Sequence, residues 1–285
     1  GYRPCKNNSM DSKERRIMMN FNATTIRKVI LDMAYSGSTV HIGCAFSIVE
    51  ILAVLYRSHL TLDPLNPDLA LRDGVVLSKG HGVMAQYACL HELGWLSDAD
   101  IQQYFKNGTR LKGLADAHIP GVDATTGSLG HGLPVAAGIA LAAKLNHSDK
   151  MCYAIVGDGE LNEGTIWEAA MFSSHFKLDN LVVIIDKNGF QAMGETDEVI
   201  ALGNIEEKFK AFGFDAVTID GHDESAIDAA YSSMKMASNG RPKAIVATTV
   251  KGKGVSFMEN NNMWHYTRLT EITHQEAIAE LERLK

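Results

Sequence analysis

The 285-residue chain sets 27 Lys and Arg against 34 Asp and Glu, for a net charge of −7. This argues against general attraction to nucleic acid phosphates, which needs clustered positive charge. With 46% hydrophobic residues it can bury a real core as one large domain or two small ones. No apolar stretch approaches the ~20 residues that span a bilayer, and the basic residues form no run that reads as a membrane-surface patch.

The N-terminal Gly1-Tyr2-Arg3-Pro4-Cys5 lacks the apolar centre of a secretion signal. Residues 1–12 read as a disordered or cloning-derived tail, with Met10 as a candidate natural start, and 13–285 as a single domain. Cysteines stand at 5, 44, 89 and 152 with no Cys-x-x-Cys pair, so neither a zinc site nor a redox motif is indicated. Cys44, Cys89 and Cys152 read as small core residues, and a reducing, cytoplasmic location is expected.

Residues 13–36 place Ile17, Phe21, Ile26, Val29, Ile30 and Met33 on a rough helical stripe. A largely buried helix is predicted over 46–60, a short strand over Gly74–Ser78 and a helix over Val83–Leu93. Residues 106–130 are rich in Gly, Thr, Asp and His without a period and predict a long loop, of the kind that is functional or disordered. Then come an Ala-rich helix (Leu133–Leu145), a strand (Met151–Val156), a helix (Gly164–Phe176) and a strand (Leu181–Asp186). A helix (Ile205–Phe212), strand (Ala216–Ile219), helix (Ser225–Ala237), strand (Ala244–Thr249) and closing helix over 270–284 complete the pattern. Short apolar strands separated by helices imply an α/β fold, a parallel sheet with helices on both faces. In such sheets ligands bind beyond the carboxyl ends of the strands.

Two of those ends carry chemistry. The strand at 151–156 runs into Gly157-Asp158-Gly159-Glu160-Leu161-Asn162-Glu163-Gly164, and the strand at 181–185 into Asp186-Lys187-Asn188-Gly189-Phe190. Neighbouring parallel strands would bring the oxygens of Asp158 and Asn188 to one point. Magnesium takes a few such oxygens and completes its octahedron with phosphates and water. Glycines at 157 and 159 let the backbone approach a diphosphate, and the helix starting near Gly164 adds its N-terminal dipole. Gly-Asp-Gly alone is most often a turn; the second element about thirty residues on reverses that reading.

Segment 157–190 resembles the thiamine diphosphate motif. By that resemblance Mg2+ takes the side chains of Asp158 and Asn188 and the carbonyl of Phe190; Lys187 stands where many members carry Asn or Asp. Further segments narrow the resemblance to transketolases. These are Ser38-Thr39-Val40-His41-Ile42-Gly43, Leu77-Ser78-Lys79-Gly80-His81-Gly82, the run from Pro120 to Gly132, Lys251-Gly252-Lys253-Gly254 and Trp264-His265. The family resemblance places His81 and His265 beside the diphosphate and the reacting carbons, and His41 against substrate hydroxyls. Histidine suits these roles because its ordinary pKa lies near neutrality. Backbone groups of Gly127 and Leu129 would hold the aminopyrimidine edge. Glu163 and Glu168 would form a proton-sharing carboxylate pair across a subunit interface. Glu160 reads as solvated, and His131 and His222 as structural hydrogen-bonders.

The resemblance implies transfer of a two-carbon ketol unit from a ketose or ketose phosphate to an aldehyde-type acceptor. No segment resembles the family's second, pyrimidine-binding domain, which carries an activating glutamate. Either the chain is a truncation or the second domain is a separate polypeptide; the expectation is the separate subunit, with self-association in an α2β2 assembly and no activity alone. One departure stands out. Counting back from Pro120 without gaps puts Leu114 where ordinary transketolases have a sugar-contacting histidine, with His118 four residues on as a substitute. Tyr266 replaces the common glycine after His265. These changes predict a substrate pair other than the usual pentose phosphates and keep open a thiamine enzyme using 2-oxoacids. A non-catalytic regulatory homologue is a third reading, disfavoured by the intact Asp158, Asn188, His81 and Glu163. A nicotinamide-binding domain does not fit, because residues 157–164 lack the Gly-x-Gly-x-x-Gly spacing.

Overall fold

Apolar runs bounded by turns become five strands in the computed structural model, which describes residues 19–283. The tail at 1–12, the start of the helix predicted from residue 13, and residue 284 lie outside the described residues. The strands are β1 (Gly74–Leu77), β2 (Cys152–Gly157), β3 (Leu181–Lys187), β4 (Asp215–Asp220) and β5 (Lys243–Thr248). They form one sheet in the order β1-β2-β3-β5-β4, and every pairing is parallel. The β2–β3 register sets Gly157 opposite Asp186, so the two predicted motifs leave the sheet side by side.

Alternation along the strands splits the core in two. Leu77, Tyr153, Ile155, Val182, Ile184 and Ile245 join one buried cluster. Val76, Ala154, Val156, Val183, Ile185 and Val246 join the other. The first face is covered by helices α1 (Ala23–Ser36), α2 (Ile42–Phe46), α3 (Val49–Val54), α4 (Val83–Glu92), α10 (Glu224–Met236) and α11 (Glu271–Arg283). The second is covered by α6 (Gly132–Leu145), α7 (Gly164–His175) and α9 (Ile205–Ala211). A strand buried on both faces has no polar side to show, which is why β2 and β3 read as continuous apolar runs.

The helix expected over 46–60 is instead α2, α3 and a π-helical turn at Leu55–His59. The break falls at Ser47, whose hydroxyl is drawn to the Asp186 carboxylate at 2.7 Å. Two five-residue helices, α5 (Asp98–Gln102) and α8 (Thr196–Ile200), escape the sequence reading because they are too short to show a period. Helix α5 rests on a capping box between Ser97 and Asp100. The loop expected at 106–130 holds neither helix nor strand but is tied down. Asp123 receives Arg72 at 2.6 Å and the Val75 amide at 2.7 Å, and the Thr126 hydroxyl donates to the Leu77 carbonyl at 2.6 Å.

Across the first face a buried network joins three distant segments. Arg27 grips both oxygens of Glu50 at 2.7 and 2.8 Å. His222 Nδ1 donates to Glu50 at 2.9 Å, while its Nε2 accepts from the Val250 amide at 2.8 Å. Burial pushes the Glu50 carboxyl up, but His222 and Arg27 outweigh it and hold it down at about 2, against an ordinary 4.5. A carboxylate with a depressed folded pKa adds stability that is complete above the unfolded value and lost as pH falls through the folded one. Acid is therefore expected to remove about 3 kcal/mol between pH 4.5 and 2. Urea titrations across that range should show the loss in the parent chain and a flatter profile in Glu50→Gln, which starts from a lower stability at neutral pH.

Candidate active site

The carboxyl ends of β1, β2 and β3 frame a cavity of about 470 Å3, within the range that takes a cofactor. Asp158 and Asn188 line it with Gly157, Gly159 and Phe190, and so do His41, His81, His265, Glu163, Gly127 and Leu129. Of the residues singled out in the sequence as catalytic or ligand-binding, His118 alone is not brought there. Its side chain is 91% exposed and tied to Asp116 at 2.7 Å. Leu114 instead lines the wall and packs over Gly127, where a Cβ would sit 2.7 Å from a leucine methyl.

Asp158 is 2% exposed and its two oxygens accept from the Gly159 amide at 2.8 Å and the Gly189 amide at 2.6 Å. Burial and the nearby Asp186 charge raise its carboxyl to about 6, against the pull of those two amides. Behind it lies an anchor that the sequence reading does not single out. Asp186, wholly buried, accepts from Lys79 Nζ at 2.5 Å, Ser47 Oγ at 2.7 Å, Asn188 Nδ2 at 2.9 Å and the Thr249 hydroxyl. Burial alone would raise Asp186, yet Lys79 holds it below the usual carboxylate range. The bond from Asn188 Nδ2 fixes that amide, so its oxygen is the atom left for other partners; it accepts from the Phe190 amide at 3.0 Å.

The three histidines form a cluster. Ring centroids lie 5.3 Å apart for His41 and His81, 5.0 Å for His41 and His265, and 5.9 Å for His81 and His265. Burial lowers all three, helped by the ammonium groups of Lys79 and Lys251; His265 falls to about 3. They are neutral at pH 7 and able to accept or relay protons. Lys251 Nζ sits 3.1 Å from His265 Nδ1. With the ammonium as donor, the imidazole proton is on Nε2. The backbone of His41 adopts a left-handed φ of 70° and its amide bonds the His265 carbonyl at 3.1 Å, which locks the two loops together.

Glu160 overturns its reading as a solvated loop residue. It is 2% exposed and accepts from Ser78 Oγ at 2.5 Å, the Gly130 amide at 2.8 Å and the Gly157 amide at 3.1 Å. It thus clamps the loop from residue 106 onto the β2 turn. Gln191, Lys79 and Lys251 also escape singling out. Gln191 packs over Gly159, and its Nε2 lines up as a buried donor with no partner among the described residues.

The matches to known proteins follow this geometry. Residues 19–281 match the family described as the transketolase thiamine diphosphate-binding domain. The chain belongs to the transketolase family. The 6-deoxy-6-sulfo-D-fructose transketolase subunit SqwG of Clostridium sp. (strain MSTE9) is 41% identical over 95% of this chain and 98% of its own. An apulose-4-phosphate transketolase subunit of Phocaeicola vulgatus is 38% identical over 91% of this chain and 92% of its own. Among solved structures, Campylobacter jejuni transketolase superposes with a TM-score of 0.85 at 30% identity. The match covers 93% of this chain but 43% of that one, so this transketolase chain spans less than half of the solved enzyme.

The transketolase cavity fits thiamine diphosphate on its own evidence. Its volume suffices, Gly157 leaves open space beside it, and the orphaned Gln191 amide supplies a donor for a diphosphate. Among the described residues no cluster of three or more His, Cys, Asp or Glu gathers for a metal. Asp158, Asn188 and Phe190 line the cavity together, and a carboxylate, an amide oxygen and a backbone carbonyl are of the type that a hard cation sharing phosphate oxygens takes. No helix among the described residues is long and apolar enough to cross a membrane.

Proposed function

We propose that this chain is the cofactor-binding subunit of a two-chain transketolase that moves a two-carbon ketol unit from a ketose to an aldehyde. The observation that carries the reading is the meeting of Asp158, Asn188, His41, His81 and His265 in one cavity at the strand ends. Thiamine diphosphate, when bound, supplies the electron sink for breaking and making the carbon–carbon bond. Asp158, Asn188 and the Phe190 carbonyl would hold its Mg2+. Gly157, Gly159, Gln191 and Lys79 would face the diphosphate, and the backbone at Gly127 and Leu129 the aminopyrimidine.

In the overall exchange the donor's C2–C3 bond breaks and its C3 hydroxyl becomes a carbonyl after losing a proton. The acceptor's carbonyl carbon gains the new bond and its oxygen gains a proton. His81 and His265 would take and return that proton, and His41 would hold substrate hydroxyls; their common place in the cavity supports these roles. The relatives' names point to ketoses with an anionic terminus as the donor class. Leu114 in the wall removes a hydrogen-bond donor from beside the reacting carbons, which leaves a substrate hydroxyl there unrecognised. The same residue supports the second reading, a 2-oxoacid donor, and product analysis separates the two.

The partner would carry the pyrimidine-binding domain and its activating glutamate. Exposed apolar residues support further association into α2β2: Val135 and Leu145 on α6, Met171 and Phe172 on α7, and Phe176 just past its end. Glu163 and Glu168 are exposed at the start of α7, where a second copy could bury them. Cys44, Cys89 and Cys152 are buried free thiols, in keeping with a cytoplasmic location. With thiamine diphosphate and Mg2+, the purified chain is expected to bind cofactor yet show no ketol transfer. Adding the product of the adjacent gene should restore it. Full turnover by the single chain would overturn the two-chain reading.

A further inference from the structure

A second chamber of about 600 Å3 adjoins the first, and His41 and Leu114 line both. Its other walls include the turn after α1 (Ser38, Thr39, Val40), residues 112–116 and Arg268. None of the motifs that define the cofactor site accounts for this space.

Two cations line it, Arg268 and Lys112, against one carboxylate, Asp116. That carboxylate is already held. One oxygen meets Lys112 Nζ at 2.5 Å; the other accepts from the His118 amide at 3.1 Å and pairs with the His118 ring at 2.7 Å. Lys112 keeps further N–H donors, and its side chain is 65% exposed. Arg268 is tethered at one point. Its Nε donates to the Ser38 carbonyl at 2.8 Å, and its two terminal nitrogens have no partner among the described residues. The Ser38 hydroxyl, on the same turn, also has none.

The tether has a firm post. The backbone is left-handed at Ser38 (φ 48°) and His41 (φ 70°). Between and beside them, the Thr39 amide bonds the Ala34 carbonyl at 3.0 Å and the His41 amide bonds the His265 carbonyl at 3.1 Å. Such conformations persist only where the surroundings enforce them. A guanidinium held at Nε still presents its pair of terminal nitrogens, a planar fork that matches two oxygens of a phosphate or sulfonate.

Resting on the transketolase reading above, we infer that Arg268, aided by Lys112, recognises the tetrahedral anionic terminus of the substrates. In the exchange, the fragment that leaves the donor and the aldehyde that accepts the ketol unit share one path from the reacting carbons. One anion site past His41 therefore serves both. Leu114, beside that path, offers no hydrogen-bond donor, so recognition shifts from the nearest hydroxyl to the far end of the chain. Arg268 is then a specificity-determining residue supplied by this chain.

The test uses the chain assembled with its partner, thiamine diphosphate and Mg2+. D-fructose, fructose 6-phosphate and 6-deoxy-6-sulfofructose differ only at C6 and serve as donors to glycolaldehyde. In the other direction hydroxypyruvate, which loses its carboxylate as CO2, is the donor to glyceraldehyde and glyceraldehyde 3-phosphate. The readout is the ratio of kcat/KM for the anionic substrate over its neutral counterpart. Arg268→Gln is expected to lower that ratio about 10- to 100-fold, mainly through KM, and by a similar factor for donors and acceptors. Arg268→Lys keeps the charge without the fork and should recover part of the loss. Lys112→Gln alters an exposed side chain, keeps the fold and should lower the ratio about threefold. A fall for phosphate alone, or for sulfonate alone, supports the site and names its anion. Equal losses on anionic and neutral substrates, which leave the ratio in place, would make Arg268 a brace for the Ser38 turn and overturn the site. A parent assembly that turns over neutral and anionic substrates alike overturns the site alone. No transfer from any donor overturns the transketolase reading and the site with it.

Discussion

Asp158→Ala is expected to weaken Mg2+-dependent binding of thiamine diphosphate by more than about a hundredfold, with no loss of stability in the free chain. The two halves of that expectation come from the same burial. Asp158 is 2% exposed and held close to the Asp186 carboxylate. Without a cation its charge is a burden on the fold, relieved only in part by the Gly159 and Gly189 amides. In the proposed metal site it would be the one charged ligand in a set otherwise made of an amide and a backbone carbonyl. Titrating cofactor into each protein and following tryptophan fluorescence gives the affinities, and thermal melts without cofactor give the stability. Unchanged affinity would remove Asp158 from the metal site. A large drop in melting temperature without cofactor would make it a structural residue instead.

Much of the fold is legible because burial writes itself into the sequence. Strands β2 and β3 are covered on both faces, so Cys152–Gly157 and Leu181–Lys187 are near-continuous apolar runs. Strand β4 is legible within a residue or two despite lying at the sheet edge, because Ala216–Ile219 sits between two helical stretches. Strand order is not legible. Nothing in the residues says that β5 inserts between β3 and β4, since that choice is made by packing of α9 and α10 on opposite faces. The break at Ser47 is hidden for a related reason: a hydroxyl reaching a carboxylate 139 residues away leaves no local pattern.

The site divides along the same line. Asp158, Asn188 and the histidines at 41, 81 and 265 stand out because each sits in a short motif at a strand end or turn. Residues that support them from elsewhere do not. Glu160 looks solvated beside two other polar residues, but its three donors come from Ser78, Gly130 and Gly157. Gln191 gives no signal at all. For Lys79 and Asp186 a signal does exist: a charge placed directly after or within an apolar strand run has to find a buried partner, and each has the other. His118 fails in the opposite way. Proximity in sequence suggests it, while the Asp116 carboxylate holds its ring outside the cavity.

That charge pair yields the other large effect. Lys79→Met is expected to destabilise the chain by about 3–5 kcal/mol. Lys79 is 1% exposed, and its ammonium donates to Asp186 at 2.5 Å and to the Cys44 carbonyl at 2.9 Å. Burial works against the charge, but Asp186 raises the Lys79 pKa and Lys79 in turn lowers that of Asp186, so both groups are ionised in the fold. Removing the lysine strands a wholly buried carboxylate with only Ser47, Thr249 and the Asn188 amide to hold it. Adding Asp186→Asn removes the stranded charge and should return most of the lost stability. The double variant should still bind thiamine diphosphate and Mg2+ poorly. An asparagine at 186 no longer dictates which way the Asn188 amide faces, and the lysine lining the cavity is gone. Urea unfolding of the two variants, beside cofactor titration of each, separates the two roles. Recovery of stability without recovery of affinity assigns the pair to the site as well as to the fold. Recovery of both would leave it a structural ion pair that happens to lie beneath the cofactor.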